Sequence, residues 1–361
     1  MILVDLFSGA GGLSYGFELA DFNVDLAIEL EKNYFESYKL NHPKSLTLNE
    51  DITKLECEKM DDTYIRGKQV EGIIGGPPCI GFSTVGNRRP DYPLNMLVFF
   101  FIKWIEYFKP TFFVMENVKG ILTMGKGQVV EKIKQMYNDI GYKCIMQVLL
   151  AAEYGVPQLR ERVFFIGTRD NSIQNLKIKK SNHENSLPPF LKVKDAFSDI
   201  LDITPLNKSN RKKLEIDYIE PPKTKYQEFL RKNSDKLYDH IAPDHSEKVI
   251  ERIRQIEQGQ NHASLPKKFQ IKGGYPNIYG RLHLDKPADT ITGNCGCVSA
   301  PGRFIHPTQD RAISIREAAR LQSFPDKYRF FGSMRDRYKQ IGNAVPPLLA
   351  YAIAEAIKRC L

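Results

Sequence analysis

The residue with the most legible chemistry in this 361-residue chain is a cysteine held behind two prolines: Cys79, in Gly75-Gly76-Pro77-Pro78-Cys79-Ile80-Gly81-Phe82-Ser83. Proline fixes φ, so the loop that carries the thiol is held rather than floppy. A following helix N-terminus and nearby arginines favour the thiolate, the nucleophilic form. Two further motifs supply polar partners: Glu116-Asn117-Val118 and Gln158-Leu159-Arg160-Glu161-Arg162. A carboxyl held just past a strand can stay protonated and donate to a ring nitrogen, a role open to Glu116. Strand alternation would send Arg160 and Arg162 to one side together. One could then hold a carbonyl oxygen of a base while the other binds phosphate.

A second group of residues fits a nucleoside. Asp5-Leu6-Phe7-Ser8-Gly9-Ala10-Gly11-Gly12-Leu13 puts a glycine-rich turn between a strand and a helix, where a ligand can approach the backbone. The dinucleotide fingerprint G-x-G-x-x-G is not met, because Ser14 stands where the third glycine belongs. That counts against NAD and for a nucleoside cofactor without a pyrophosphate. Glu29 closes the second strand, where a carboxylate can accept both ribose hydroxyls. Asp51-Ile52 follows the third strand; an acid beside an apolar residue can accept an adenine amino proton and pack on the ring.

The elements that must position these residues alternate strand and helix. Strands are expected at Ile2–Phe7, Val24–Ile28, Leu46–Leu48, Gly72–Gly75, Thr111–Met115, Cys144–Leu150 and Arg162–Thr168, with helices to about Ala20, near Lys32–Leu40, over Leu94–Phe108 and near Val129–Ile140. Such repeated units imply an α/β fold: a Rossmann-like, mostly parallel sheet with helices on both faces. The alternation stops near residue 170, and Asn171–His240 is lysine-rich with two proline pairs. Ser314 and Glu317 form a capping box that opens a helix, and a last helix runs from about Pro346 to Arg359. The first strand begins at residue 2, so the C-terminal helix is expected on the vacant flank of the sheet. Three segments follow: a cofactor-binding catalytic domain over 1–170, a smaller irregular domain over 171–300, and a return to the first domain over 301–361.

A formal charge of +9 and a pI near 9.0 fit a polyanionic partner. At 42% hydrophobic and 26% charged residues, the chain can build a core without disulfides or metals. Its six cysteines are scattered, which suits a reducing compartment. Cys295-Gly296-Cys297 has no second Cys/His pair at zinc spacing, so no metal site is expected. No signal peptide or membrane span is legible, and a cytoplasmic protein is expected.

Taken in order, these motifs resemble the cytosine-C5 DNA methyltransferase family across nearly the whole chain. Further matches are Arg316-Glu317-Ala318-Ala319-Arg320-Leu321-Gln322-Ser323-Phe324-Pro325 and Gln340-Ile341-Gly342-Asn343-Ala344-Val345-Pro346. Two departures stand out: Ile80 follows the cysteine where the family most often has Gln, and Leu30 follows Glu29 where it often has Trp. The resemblance implies S-adenosyl-L-methionine, held by Phe7, Gly9, Gly11, Gly12, Leu13, Glu29, Leu30, Asp51, Ile52, Pro78, Asn343 and Val345. It implies Cys79, Glu116, Arg160 and Arg162 as the catalytic set, with Cys79 attacking carbon-6 of a flipped cytosine. Residues 171–300 become a target-recognition domain for double-stranded DNA, and Thr290-Ile291-Thr292-Gly293-Asn294 resembles a turn late in it. A monomeric bacterial modification enzyme is implied, associated with the nucleoid and paired in function rather than by contact with a cognate restriction endonuclease. The rivals are the same chemistry on tRNA, which the large basic insert disfavours, and an inactive DNA-binding regulator, which the retained Cys79, Glu116 and arginines disfavour. A nicotinamide oxidoreductase is disfavoured by Ser14.

Overall fold

The computed structural model describes residues 2–78, 97–170, 172–173, 176–181, 190–207, 214–271 and 275–361. The chain divides into two compact units. One comprises Met1–Leu150, Glu161–Lys180 and Leu349–Leu361; the other comprises Ala151–Arg160 and Ser181–Leu348.

The first unit is built on strands β1 (Ile2–Leu6), β2 (Val24–Ile28), β3 (Leu46–Leu48), β4 (Val70–Gly75), β5 (Phe112–Val118), β6 (Lys143–Leu150) and, after the two-residue β7 (Gln158–Leu159) of the other unit, β8 (Glu161–Thr168). They form one sheet in the order β3-β2-β1-β4-β5-β8-β6. The first five strands pair in parallel, and β8 runs antiparallel to both β5 and β6. Between them lie α1 (Gly12–Leu19), α2 (Lys32–Asn41), α3 (Cys57–Met60), α4 (Leu97–Phe108) and α5 (Gln128–Asp139). Side chains alternate along a strand, so Phe112 and Phe113 mark opposite faces of β5. Phe112 stacks on Phe17 of α1 at 6.2 Å, and Phe113 stacks on Tyr137 of α5 at 4.1 Å. Helices therefore cover both faces, as the alternating pattern requires.

The last helix, α11 after the elements named below, spans Pro347–Lys358. From Leu349 on it belongs to this unit, with Leu349, Ile353 and Ile357 fully buried. Lys358 Nζ donates to Ala20 O at 2.9 Å, at the end of α1. The C-terminal helix thus returns to the unit that carries the sheet, whereas 301–348 belongs to the second unit.

The second unit carries short elements: α6 (Val193–Phe197), β9 (Glu215–Ile216), α7 (Lys225–Arg231), β10 (Leu237–Tyr238), α8 (Glu247–Arg254), β11 (Gly280–Arg281), β12 (Ala288–Asp289), β13 (Arg303–Ile305), α9 (Ile315–Leu321) and α10 (Met334–Asn343). Strands this short bury little on their own. Fully buried arginines stitch the unit instead. Arg320 reaches Asp199 and Asp326, each at 2.6 Å, and Arg316 donates to the carbonyls of Tyr238, Pro325 and Tyr328. The capping box forms: Glu317 N donates to Ser314 Oγ at 3.1 Å, and Ser314 N donates to Glu317 Oε2 at 2.7 Å. Cys295 is buried and Cys297 exposed, in a turn. Among the described residues, no helix is long and apolar enough to cross a membrane.

Candidate active site

The carboxyl ends of parallel strands are where an open α/β sheet binds ligands. In the first unit, the ends of β1, β2, β3, β4 and β5 carry the glycine turn, Glu29, Asp51, Gly76-Pro77-Pro78 and Glu116 in turn.

The turn after β1 is tight because three of its residues, Phe7, Gly9 and Gly11, have positive φ (59°, 59° and 93°). Ser8 N donates to Ile28 O at 3.1 Å, tying the turn to β2. Glu29 is buried and holds the turn from the next strand. Its Oε2 accepts from Gly9 N and its Oε1 from Glu31 N, both at 2.8 Å. Burial raises its pKa above the ordinary carboxylate value, against those two hydrogen bonds, which lower it. A carboxylate offers about four acceptor positions, so acceptor capacity remains for a hydroxyl beside the Gly9, Glu31 and Leu30 amides. A Cβ at Gly9 would meet nothing within 4 Å, and Ser8 Oγ is buried without a hydrogen-bond partner among the described residues. Open space, spare acceptors and an orphaned hydroxyl fit a nucleoside ligand.

Leu30 projects an apolar face, 60% exposed, and could pack on a ring. Ile52 is buried in the core under the sheet. Asp51 caps the turn that follows β3, with Oδ1 accepting from Thr53 N at 3.0 Å and from Thr53 Oγ1 at 2.7 Å. The Thr53 hydroxyl holds its carboxyl below the usual range. Leu13 is buried on α1. Asn49 was not legible as a site residue. Its amide donates to Glu29 O at 2.9 Å and Leu30 O at 2.8 Å, fixing the backbone that presents both side chains. An asparagine just past a short strand was the only available signal.

At the exit of β4, Gly75 passes so close to β1 that a Cβ would lie 2.1 Å from Leu6 O. One residue on, a Cβ at Gly76 would lie 3.2 Å from Glu116 Oε2. Asn117 Nδ2 donates to Pro77 O at 3.5 Å. The segment that leads to the cysteine is therefore seated beside Glu116, with Pro77 buried and Pro78 exposed. Cys79 and Ile80 lie outside the described residues.

Glu116 and Arg162 meet across the β5–β8 pairing. Val118 opposes Arg162 and Glu116 opposes Phe164, so the two charged residues are diagonal neighbours on one face. Arg162 Nε donates to Glu116 Oε1 at 2.9 Å, with 14% and 11% of the two side chains exposed. Burial lowers the Arg162 pKa, and the Glu116 charge works against that.

Arg160 does not pair with Arg162. The strand breaks at residue 160, β7 pairs with β12 instead, and Arg160 belongs to the second unit. Its fully buried guanidinium donates to the carbonyls of Ile291 (2.9 Å), Gly342 (2.8 Å) and Ala344 (3.0 Å). The last two flank Asn343, which is exposed; Val345 is buried. Gln158 completes this frame: its Nε2 donates to Leu321 O at 3.0 Å, and its Oε1 accepts from Ile291 N at 2.8 Å. The Gln-x-Arg motif, the threonine turn and the two late motifs are thus parts of one hydrogen-bonded frame.

Comparison with known proteins identifies the family. A family model described as C-5 cytosine-specific DNA methylase matches residues 1–359. The chain is 38% identical to the Type II methyltransferase M.DdeI of Desulfomicrobium norvegicum, over 99% of this chain and 88% of that protein. It is 34% identical to the Type II methyltransferase M.AgeI of Thalassovita gelatinovora, over 99% of each. Among solved structures, a putative DNA modification methyltransferase encoded within an E. coli prophage superposes with a TM-score of 0.79 at 28% identity, over 99% of both chains.

Proposed function

Because the chain belongs to the C-5 cytosine-specific DNA methylase family, we propose that it methylates carbon-5 of a cytosine flipped out of a specific duplex DNA site, using S-adenosyl-L-methionine and a transient bond between Cys79 and carbon-6. The observation that supports this most directly is the Glu116–Arg162 pair at 2.9 Å beside the Gly76-Pro77-Pro78 exit.

Ring N3 and O2 are adjacent on the pairing edge of cytosine. Two neighbouring groups, one that can supply a proton and one that is permanently cationic, match that edge. Glu116 hydrogen-bonds or protonates N3, and Arg162 steadies O2 as charge builds on the ring. The Cys79 thiolate adds to carbon-6, which makes carbon-5 nucleophilic. When bound, S-adenosylmethionine supplies an electrophilic methyl group. Loss of the carbon-5 proton to a base then re-forms the double bond and expels the thiolate. On the cofactor side, Glu29 accepts the ribose hydroxyls, Gly9–Gly12 give the ligand backbone access, and Leu30 covers the adenine. Asp51 and Ile52 complete the adenine pocket, and Phe7, Leu13 and Pro78 line the approach; the resemblance to the family also assigns Asn343 and Val345 to the cofactor.

Residues 171–300 act in target recognition, with lysines and arginines on phosphates. The biological role is protection of DNA against a cognate restriction endonuclease by a cytoplasmic, monomeric enzyme. Labelled methyl transfer to duplex DNA tests the activity, with tRNA as the competing substrate. Cys79→Ser should abolish transfer, and DNA containing 5-fluorocytosine should trap the protein covalently. Transfer that survives the substitution, or the lack of a trapped adduct, would remove Cys79 from the mechanism. Bisulfite sequencing of DNA from expressing cells gives the target site.

A further inference from the structure

Below the glycine turn lies a buried polar cluster that the mechanism above does not use. Asp5, 1% exposed on β1, is hydrogen-bonded through Oδ2 to Ser14 Oγ of α1 at 2.5 Å. Ser14 Oγ is 2.7 Å from Tyr38 Oη of α2. Tyr38 in turn has the Ser45 hydroxyl as a hydrogen-bond partner, and Ser45 Oγ donates to Val24 O of β2 at 2.5 Å. The other carboxyl oxygen, Asp5 Oδ1, has no hydrogen-bond partner among the described residues.

Counting protons along this chain sets its direction. Val24 O can only accept, so the Ser45 hydrogen is committed to it. Tyr38 must then donate to Ser45, and Ser14 to Tyr38. The Ser14–Asp5 contact carries a hydrogen only if Asp5 supplies it. An ionised Asp5 would leave one link without a proton and an orphaned charged oxygen in the interior, which is costly. The titratable neighbours among the described residues are Glu29 and Glu18, which both add negative charge near Asp5, and His42, which stacks on Tyr38 and lies 2.8 Å from Glu18; β4 faces Asp5 with Ile74. Burial is the largest influence and outweighs the Ser14 hydrogen bond, which lowers; with the Glu29 and Glu18 charges it pushes the Asp5 carboxyl up to about 8.

We propose that Asp5 is a neutral carboxylic acid in the resting protein and a positioning residue for the cofactor, heading a chain of hydroxyls that locks the glycine turn. The chain joins β1, α1, α2 and β2, the elements that carry the turn and Glu29. Ser14, which breaks the dinucleotide fingerprint, is its middle link: a hydrogen bond takes the place of close glycine packing between helix and strand. Ionisation of Asp5 at alkaline pH breaks one link and loosens the turn. The proposal rests on the reading of this turn as the S-adenosylmethionine site.

The test compares the wild-type protein with Asp5→Asn, whose amide donates to Ser14 without titrating. The first measurement needs no ligand: the infrared carbonyl band of a protonated carboxylic acid. The difference between wild-type and Asp5→Asn spectra, in which other protonated carboxyls cancel, should show it near neutral pH and lose it as pH rises past about 8. The second is calorimetric titration with S-adenosylmethionine across the same range. The cofactor amine titrates near there too, but equally for both proteins, so the difference between them isolates Asp5. Wild-type affinity should fall about tenfold more than that of Asp5→Asn, the worth of one hydrogen bond. Single-turnover kcat with saturating cofactor should not separate the two proteins. Ser14→Ala, which cuts the chain, should weaken binding at every pH. A wild-type band that is absent at neutral pH, or equal alkaline losses in both proteins, would overturn the inference. No binding by either protein would sink the cofactor reading instead, and the carbonyl band would still decide the state of Asp5.

Discussion

Replacing Arg160 with alanine should unfold the second unit at a much lower temperature while leaving the chemical step almost intact. The guanidinium serves three carbonyls, Ile291, Gly342 and Ala344, at 2.8–3.0 Å, and is fully buried. Hydrogen bonds to a charged group contribute about 1.5–3 kcal/mol each, so losing three costs roughly 4 kcal/mol even at the low end. In a unit of this size that is on the order of 10 °C in Tm. Arg160→Lys should recover only part of this, because one ammonium cannot match a planar fork aimed at three acceptors. Scanning calorimetry and single-turnover methyl transfer well below the transition separate the roles. The expected result is a large fall in Tm with kcat within about threefold. An unchanged Tm with a loss of kcat of about a hundredfold or more would refute the reasoning and return Arg160 to the substrate.

Glu116→Gln should lower kcat by about 10²–10⁴, the usual worth of a positioned acid, and should lower Tm as well, because buried Arg162 loses its counter-charge; steady-state kinetics well below the transition and calorimetry separate the two. Glu29→Gln keeps one acceptor but turns an amide against a backbone N–H, so the Kd for S-adenosylmethionine should rise about a hundredfold by titration calorimetry. His240 and His306 are buried, which holds their pKa values down from 6.5 to about 4 and about 3. Both are neutral when folded, and the unfolded chain binds their protons first. Stability should therefore fall as pH drops from about 6.5 towards 4, and His240→Gln should flatten that slope in urea titrations. Gly75→Ala, with its Cβ 2.1 Å from Leu6 O, should cost more than about 3 kcal/mol and reduce soluble expression.

The sheet was legible because each strand is a short β-branched or aromatic run between glycines, prolines and acids, and because helical stretches separate the runs. Candidate ligands followed from their places at strand ends. The direction of β8 was not legible, since hydrophobic pattern carries no polarity. Nor was the excursion of residues 151–160 into the second unit. Gln158-Leu159 is two residues long and exists as a strand only because Ala288-Asp289 pairs with it, a partner distant in sequence. Alternation across that break misplaced Arg160. Asp5 read as a flank of the glycine turn, because nothing in one sequence says that Ser14, Tyr38 and Ser45 converge on it.

The close passage of Gly75 against Leu6 sets a length inside the molecule. Leu6 is the last residue before the glycine turn, and Gly75 the last before Gly76-Pro77-Pro78. Their separation is main chain against main chain, with no side chain between whose rotamer could alter it. The spacing between the exits of β1 and β4 is thereby gauged by backbone atoms. Sequence drift in the two segments that follow can change their side chains, but this backbone spacing holds as long as position 75 has no Cβ.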